Sequence, residues 1–344
     1  PEPEAHPNLP PSTAPSLESL IARARCHRTA PVTHEAELCE LFGHAGTLAY
    51  GPLRLRGEAL SATPAAARWL CADPVHLRLH DERLVLADPS RLDIALEEAQ
   101  QLAAALNEEI SDLGRIHVAA PGRWYLQIPA DSPLPTLDAP PLSAAAGRHV
   151  GNMLPDILDD RQWRHRFNAI QTALHAHPVN RRREHAGRMT INSLWLWGDG
   201  TLLPAGERRF ATARSRLPLA RGLARAAGTA HCEEISDAAR LLRELAPGAE
   251  HLIVLDELME AVQYDDGEAW HDALAGLETV WFAPLKRALD AGTIRRLRLI
   301  ATTAHGTLHW DCRPADRWKI LPSPKPVAAV ATQSPRRTNE TRKT

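Results

Sequence analysis

The sequence predicts an α/β protein in two parts: a layered α/β domain, and a smaller β-β-α-β-β α+β domain inserted in it or preceding it. Three observations lead there. Two pairs of alternating apolar stretches, within 75–86 and 116–128, flank a single helical stripe. In the second half, strand-like apolar runs near 191–197, 251–256 and 297–300 alternate with stretches of helical period. A run with five prolines, 129–141, stands between the halves and reads as a linker.

Taken in order, residues 1–15 are proline-rich and predicted to be an extended lead-in, and 16–62 form a helical part of the α/β domain. Leu17, Leu20, Ile21 and Ala24 recur at three and four, which gives a helix from Ser16 to about His27. A second helix begins after Thr33 and ends at Gly43, and Thr63-Pro64 looks like the cap and first turn of a short one reaching Leu70. Residues 63–130 make the smaller domain. Val75, Leu77 and Leu79 alternate with His76, Arg78 and His80, and Leu84 and Leu86 continue the pattern after Asp81-Glu82, so a hairpin is expected. Leu92 to Ile110 carries one apolar stripe opposite Glu97, Glu98, Gln100, Gln101 and Glu108. Ile116 and Val118, the Pro121-Gly122 turn, then Trp124, Leu126 and Ile128 give the second hairpin. His76, His80 and His117 sit on polar strand faces and read as surface histidines rather than metal ligands.

After the linker at 131–148, the α/β domain occupies 149–321. Helices are expected at 156–177, 217–227, 238–245 and 269–291, strands at 251–256, 297–300 and 307–310, and a largely parallel sheet. Residues 322–344 are rich in proline and basic residues and read as a disordered tail.

With 344 residues, 44% hydrophobic and 24% charged, the chain has the composition of a globular protein. A formal net charge of −2 gives no general attraction to nucleic acid or anionic membrane, and neither is expected as a partner. No apolar run approaches the roughly 20 residues of a membrane span. Cys26, Cys39, Cys71, Cys232 and Cys312 are scattered and form no C-x-x-C pair, which fits a reducing, cytoplasmic setting.

The chemistry concentrates in 177–200, HPVNRRREHAGRMTINSLWLWGDG. A basic helix runs into an apolar strand, Trp195 and Trp197 reading as core, and Gly198-Asp199-Gly200 breaks it. A glycine turn at a strand end lets backbone N–H groups approach an anion, and the arginines upstream supply bidentate donors. The ligand-binding candidates are therefore His177, Asn180, Arg183, Asn192, Trp197, Gly198, Asp199 and Gly200.

These motifs together resemble archaeal-type, cofactor-independent phosphoglycerate mutases. His177-Pro178-Val179-Asn180, Arg183, Gly187, Asn192 and Gly198-Asp199-Gly200 are similar to that family's H-P-x-N-x-x-R-x-x-x-G…N…R-G-x-G pattern. A β-β-α-β-β insert domain precedes the pattern there, similar to 68–128 here, and Leu219 to Gly228, LARGLARAAG, resembles the helix that follows. The likeness covers about 64–311. It implies the alkaline-phosphatase-like fold and a two-metal transfer through a phosphoseryl enzyme. The chain departs from that machinery. Thr302-Thr303-Ala304-His305 has alanine where T-x-D-H carries a carboxylate, Ala261 to Asp266 lacks the histidine of A-G-H-D-G-D, Trp197 replaces an arginine, and the N-terminal Asp and Ser motif is not found. Asn192 to Gly198 and His309 to Pro314 are also similar to segments of proteobacterial RpfE-type regulatory proteins.

The first reading is thus a non-catalytic mutase-like regulatory protein, with no cofactor, that binds a small phosphorylated or carboxylated metabolite or a protein partner. A second is an active metal-dependent mutase or phosphatase whose site is rebuilt from Asp256, Asp265, Asp266 and His305. A third is a structural interaction protein, which exposed tryptophans would favour. Thr303 beside His305 reads as a strand-end residue rather than a nucleophile.

Overall fold

A computed structural model of the chain describes residues 14–46, 49–58, 67–153, 160–233, 237–244, 246, 248–319, 323, 326–327 and 330. In chain order its elements begin with α1 Pro15–Arg23, β1 Arg25–Thr29, α2 His34–Leu41 and α3 Tyr50–Arg56. Next come β2 Ala67–His80, β3 Arg83–Ala87, α4 Leu96–Glu109, β4 Arg115–Ala120, β5 Arg123–Pro129 and α5 Leu142–Ala145. The middle of the chain forms α6 Arg161–Ala176, α7 Pro178–His185, β6 Ser193–Gly200, β7 Thr212–Arg214, α8 Pro218–Ala226, β8 Ala230–Cys232, α9 Ala238–Glu244 and β9 His251–Ile253. The last elements are α10 Met259–Gln263, α11 Gly267–Leu277, α12 Ala283–Asp290, β10 Leu297–Thr303 and β11 Gly306–Cys312. Among the described residues no helix is long and apolar enough to cross a membrane.

The residues fall into two compact units, one drawn from 1–34, 236–247 and 257–344, the other from 35–235 and 248–256. The second unit is built on a five-stranded sheet ordered β3-β2-β5-β4, with β6 also paired to β2. β2 is its axis. Its 67–71 segment pairs with β5, its 69–75 segment with β6 and its 76–80 segment with β3, all antiparallel. The β2-β3 hairpin turns on Asp81 and Glu82, both at positive φ, as a two-residue turn that follows the strand twist requires. The sequence-predicted β-β-α-β-β order is present, but β6 joins the same sheet, so the central stretch and the smaller motif share one unit.

Among the described residues the largely parallel sheet is not found. An apolar run such as 191–197 reports that a strand is covered on both faces, and says nothing of its direction. Among the described residues, parallel pairing is confined to a short sheet in which β7 lies between β8 and β9. Residues 67–70, expected to end a helix, begin β2, and Thr63-Pro64 lies outside the described residues, as do 1–13 of the lead-in and most of 322–344. The stretch 131–148, expected as a linker, has buried residues and lies within the second unit. Leu134, Leu137, Ala139, Ala145 and Ala146 are buried, and the carbonyls of Leu134, Pro135 and Pro140 accept hydrogen bonds from Arg68, Trp163 and Trp195.

The first unit holds a three-stranded antiparallel sheet ordered β1-β11-β10. Leu20, Ile21, Leu289, Leu308, Trp310 and Cys312 form its apolar cluster. The single helix expected over 269–291 is α11 and α12 joined through a π-helical turn at Glu278–Phe282. That turn carries Glu278, whose two carboxylate oxygens accept from Ser16 N (2.9 Å) and Leu17 N (3.1 Å). Ala14 at the N-cap has no side-chain acceptor, so a carboxylate from elsewhere in the unit completes the start of α1.

Candidate functional site

His177 stands between α6 and α7. Its extended backbone ends one helix and begins the next, its Nδ1 accepts from Val179 N at 3.2 Å, and Pro178 takes the first helical position, where no N–H is needed. Burial, with Arg182 nearby, pulls the His177 imidazole below its ordinary pKa. One turn on, Asn180 is buried and fully bonded. Its Nδ2 donates to Leu174 O and Ile191 O, both at 2.7 Å, while its Oδ1 accepts from Ile191 N at 2.8 Å. It clips the end of α6 to the approach to β6.

Arg183 is 1% exposed. Nε donates to Met189 O at 2.8 Å, Nη1 to Glu98 Oε2 at 2.7 Å and Nη2 to Leu92 O. Burial draws the guanidinium down from its usual range, and the Glu98 carboxylate opposes this. Glu98 also accepts from Ala95 N at 3.0 Å, so Arg183 locks α7 to the first turn of α4. Its fork is aimed at the fold's own carbonyls and carboxylate, away from any incoming anion.

Asn192, just before β6, and the residues of its end are similarly committed. Asn192 imitates a strand neighbour: Oδ1 accepts from Leu77 N and Nδ2 donates to Leu77 O, both at 2.8 Å. Asp199 is buried and accepts from Arg68 through both oxygens and from Leu137 N at 2.9 Å. The strand continues through Gly198-Asp199-Gly200 where a break was expected. Gly198 has φ +70°, and a Cβ there would lie 2.8 Å from Gly51 N and 2.9 Å from Tyr50 Cβ. The glycine accommodates the backbone of α3, which takes the place an anion would need.

The sequence reading missed a buried cluster of charged groups in this unit. Arg54 of α3 donates from Nη1 to both oxygens of Asp73 (2.9 and 2.7 Å), and Trp197 Nε1 donates to Asp73 Oδ2 at 2.9 Å. The Arg54 guanidinium also lies 5.4 Å from the Tyr125 ring centroid and 5.5 Å from that of Trp197, within cation–π range. Burial alone would depress Arg54, and the Asp73 carboxylate overrides it to hold the charge well above its usual range. Beside it, Glu58 accepts from Arg123 Nε at 2.7 Å and from Tyr125 OH at 3.0 Å. Burial pushes the Cys71 thiol up to about 12 and the Tyr125 phenol well above its ordinary value, so neither supplies an anionic nucleophile near neutral pH. A lone aspartate inside W-L-C-A-D-P-V was the available signal, because a carboxylate in a buried strand requires a partner.

The four candidate metal residues have other roles. Asp256 accepts from Arg216 (3.1 and 2.5 Å), Asp266 caps α11 through Ala269 N at 2.9 Å, and Asp265 occupies the preceding turn at φ +54°. His305 is exposed in the β10-β11 turn, where its N–H donates to Thr303 Oγ1 at 3.1 Å and that hydroxyl donates to Gly306 O at 2.8 Å. Thr303 therefore closes the turn. Among the described residues no three His, Cys, Asp or Glu side chains gather as a metal site requires. Of the histidines read as surface residues, His76 and His117 are partly buried, His76 bonded to Thr190 O at 2.8 Å and His117 to Gln127 at 2.9 Å. A cleft of about 770 Å³, lined by Ala67, Asn107, Ser111, Arg115 and Gln127 among others, contains none of the predicted residues.

No family model matches the chain. It is 24% identical over 190 residues to a 2,3-bisphosphoglycerate-independent phosphoglycerate mutase of Methanosarcina mazei, a match covering 54% of this chain and 48% of that protein. It is 27% identical over 213 residues to 2,3-bisphosphoglycerate-independent phosphoglycerate mutase 2 of Methanothermobacter thermautotrophicus, covering 56% and 50%. The chain thus spans about half the length of the curated relatives it matches. A solved structure of a protein from Pyrococcus horikoshii aligns with 88% of this chain and 80% of its own at a TM-score of 0.50 and 12% identity, which is a likeness of fold.

Proposed function

We propose that this chain is a phosphoglycerate mutase-like protein of the RpfE-type group that has exchanged phosphoryl transfer for a regulatory role exerted through a protein partner. The observation that carries this reading is Arg183. A phosphate seated on its guanidinium would have to displace Leu92 O, Met189 O and Glu98, and leaving the buried Leu92 carbonyl unpaired alone costs about 1–3 kcal/mol. The metal-motif departure points the same way, since Ala304 offers no ligand where a transfer site needs a carboxylate. A protein partner is favoured over a metabolite by one residue: eight of the nine tryptophans are buried, and Trp318 is 73% exposed.

The test is a coupled mutase assay of the full chain with 3-phosphoglycerate and Mn²⁺, run beside a thermal-shift titration. The expected outcome is no turnover above background and no stabilisation by phosphoglycerate, with or without metal. Metal-dependent turnover that disappears in Asp256→Asn or His305→Ala would replace this reading with a rebuilt catalytic site.

A further inference from the structure

We infer that the surface around Trp318, in the unit that contains β1, β10 and β11, is the docking face for an acidic protein segment. This rests on the protein-partner reading above and names its surface and the chemistry of the partner.

Three features converge there. First, the display of Trp318 is organised in advance. It ends a 3-10 turn, Pro314–Trp318, whose start is fixed by Asp316 Oδ2 accepting from Arg313 N at 2.7 Å. The Arg317 guanidinium lies 4.9 Å from the indole centroid and donates through Nη1 to Asp290 O at the end of α12. An aromatic held in this way loses little freedom when a partner covers it, and Trp and Arg are the residue types that most often dominate interface energetics.

Second, a crevice adjoins it. Ser19, Leu20, Leu289 and Cys312 contribute to its walls, and its charged lining is Arg23, Lys286, Arg313 and Arg317 against Asp290 and Asp316. Four cations against two carboxylates leave a formal surplus of two, in a chain whose overall charge is −2. The crevice measures about 20 Å³, room for about one water, so its cations are met at its mouth.

Third, the charge is confined. Nucleic acid is held by basic stripes that follow the backbone, with aromatic platforms spaced along it. Here there is one indole beside one small basic hole. That geometry fits a Glu or Asp carboxylate meeting the cations at the mouth of the crevice while a neighbouring apolar residue packs on Trp318.

The experiment uses the full chain and a fluorescein-labelled peptide in which Glu alternates with Leu and Phe. Its controls are the same peptide with Lys for Glu, a single-stranded oligonucleotide and phosphatidylserine vesicles. The Glu peptide is expected to bind with an affinity that falls as NaCl is raised, and the Lys peptide is not. Trp318→Ala and Arg317→Glu should each weaken binding by about thirtyfold, while Arg181→Glu on α7 leaves it unchanged. Because Trp318 is exposed, Trp318→Ala retains the fold, and circular dichroism checks this. Absent peptide binding, binding undiminished in both variants, or stronger binding to the oligonucleotide or vesicles would each overturn the inference. The same preparations are assayed for mutase turnover. Turnover would overturn the proposed function, whereas peptide failure without turnover would remove only this docking face.

Discussion

Asn180 shows how a residue read as a ligand contact can be engaged by the backbone around it. Its amide satisfies two buried carbonyls and one buried N–H, all supplied by backbone. Asn180→Ala removes all three partners at once, and a buried group left unpaired costs about 1–3 kcal/mol, so a loss of roughly 3 kcal/mol is expected. Urea unfolding should show a lower midpoint at an unchanged slope. The motif positions were legible in the sequence, but their roles were not. Residue types announce donors and acceptors, while the carbonyls of Leu92, Leu174 and Met189 that engage them carry no side-chain signature. His117 gives a residue-scale prediction of pH dependence. Burial, with Arg115 nearby, pulls its imidazole below the ordinary 6.5, against the opposing bond to Gln127. The unfolded chain therefore binds the proton more readily. The stabilisation is present above the unfolded pKa and is lost as pH falls through the folded one. His44 and His177 are lowered in the same direction. Between about pH 7 and about pH 5, His117→Gln should lose less stability than the parent chain. An equal or steeper loss would remove His117 from this account.

Among elements, α3 is one that no periodicity announced. It has seven residues, and burial of Tyr50 through Leu55 leaves no polar face to reveal its turns. Its seating depends on glycines. A Cβ on Gly57 would fall 1.8 Å from Pro218 O, and one on Gly222 would fall 1.7 Å from Leu53 O, so α3 and α8 meet backbone to backbone. Such an approach also places Arg54 over Asp73. Gly222→Ala cannot be absorbed by a flexible neighbour, because the obstructing atom is a main-chain oxygen. The expected loss is at the upper end of the usual overpacking range, about 3 kcal/mol. Near-ultraviolet circular dichroism should change as well, because Trp197 and Tyr125 lie against the displaced arginine. The β2-β3 and β4-β5 hairpins and α4 were legible because one of their faces is apolar and the other polar. Strand direction was not, since the burial that makes 193–199 apolar is the same for either orientation.

At the scale of the whole molecule, the chain does not divide at the proline run 129–141. Proline carries no donor, yet its carbonyl is an ordinary acceptor, and the side chains of Arg68, Trp163 and Trp195 use those of Pro135 and Pro140, with that of Leu134, to hold the stretch in place. The actual partition is discontinuous, with 248–256 returning to the unit formed by 35–235. That short return is integral to the unit. It supplies β9, one of the two partners of β7, together with Val254 N donating to Arg214 O at 3.0 Å, Ala211 N donating to Glu250 O at 2.8 Å, and the Arg216–Asp256 ion pair. A fragment ending at 235 leaves β7 with one edge unpaired and uncovers the core around Ala213 that Val254 helps to fill. With hydrogen bonds worth about 1 kcal/mol each and one valine side chain exposed, the difference is on the order of 3 kcal/mol. Fragment 35–256 should therefore unfold at a clearly higher urea concentration than fragment 35–235, with a steeper transition because more surface is buried. Coincident midpoints would mean that β9 contributes nothing to the unit, and that its boundary lies at 235.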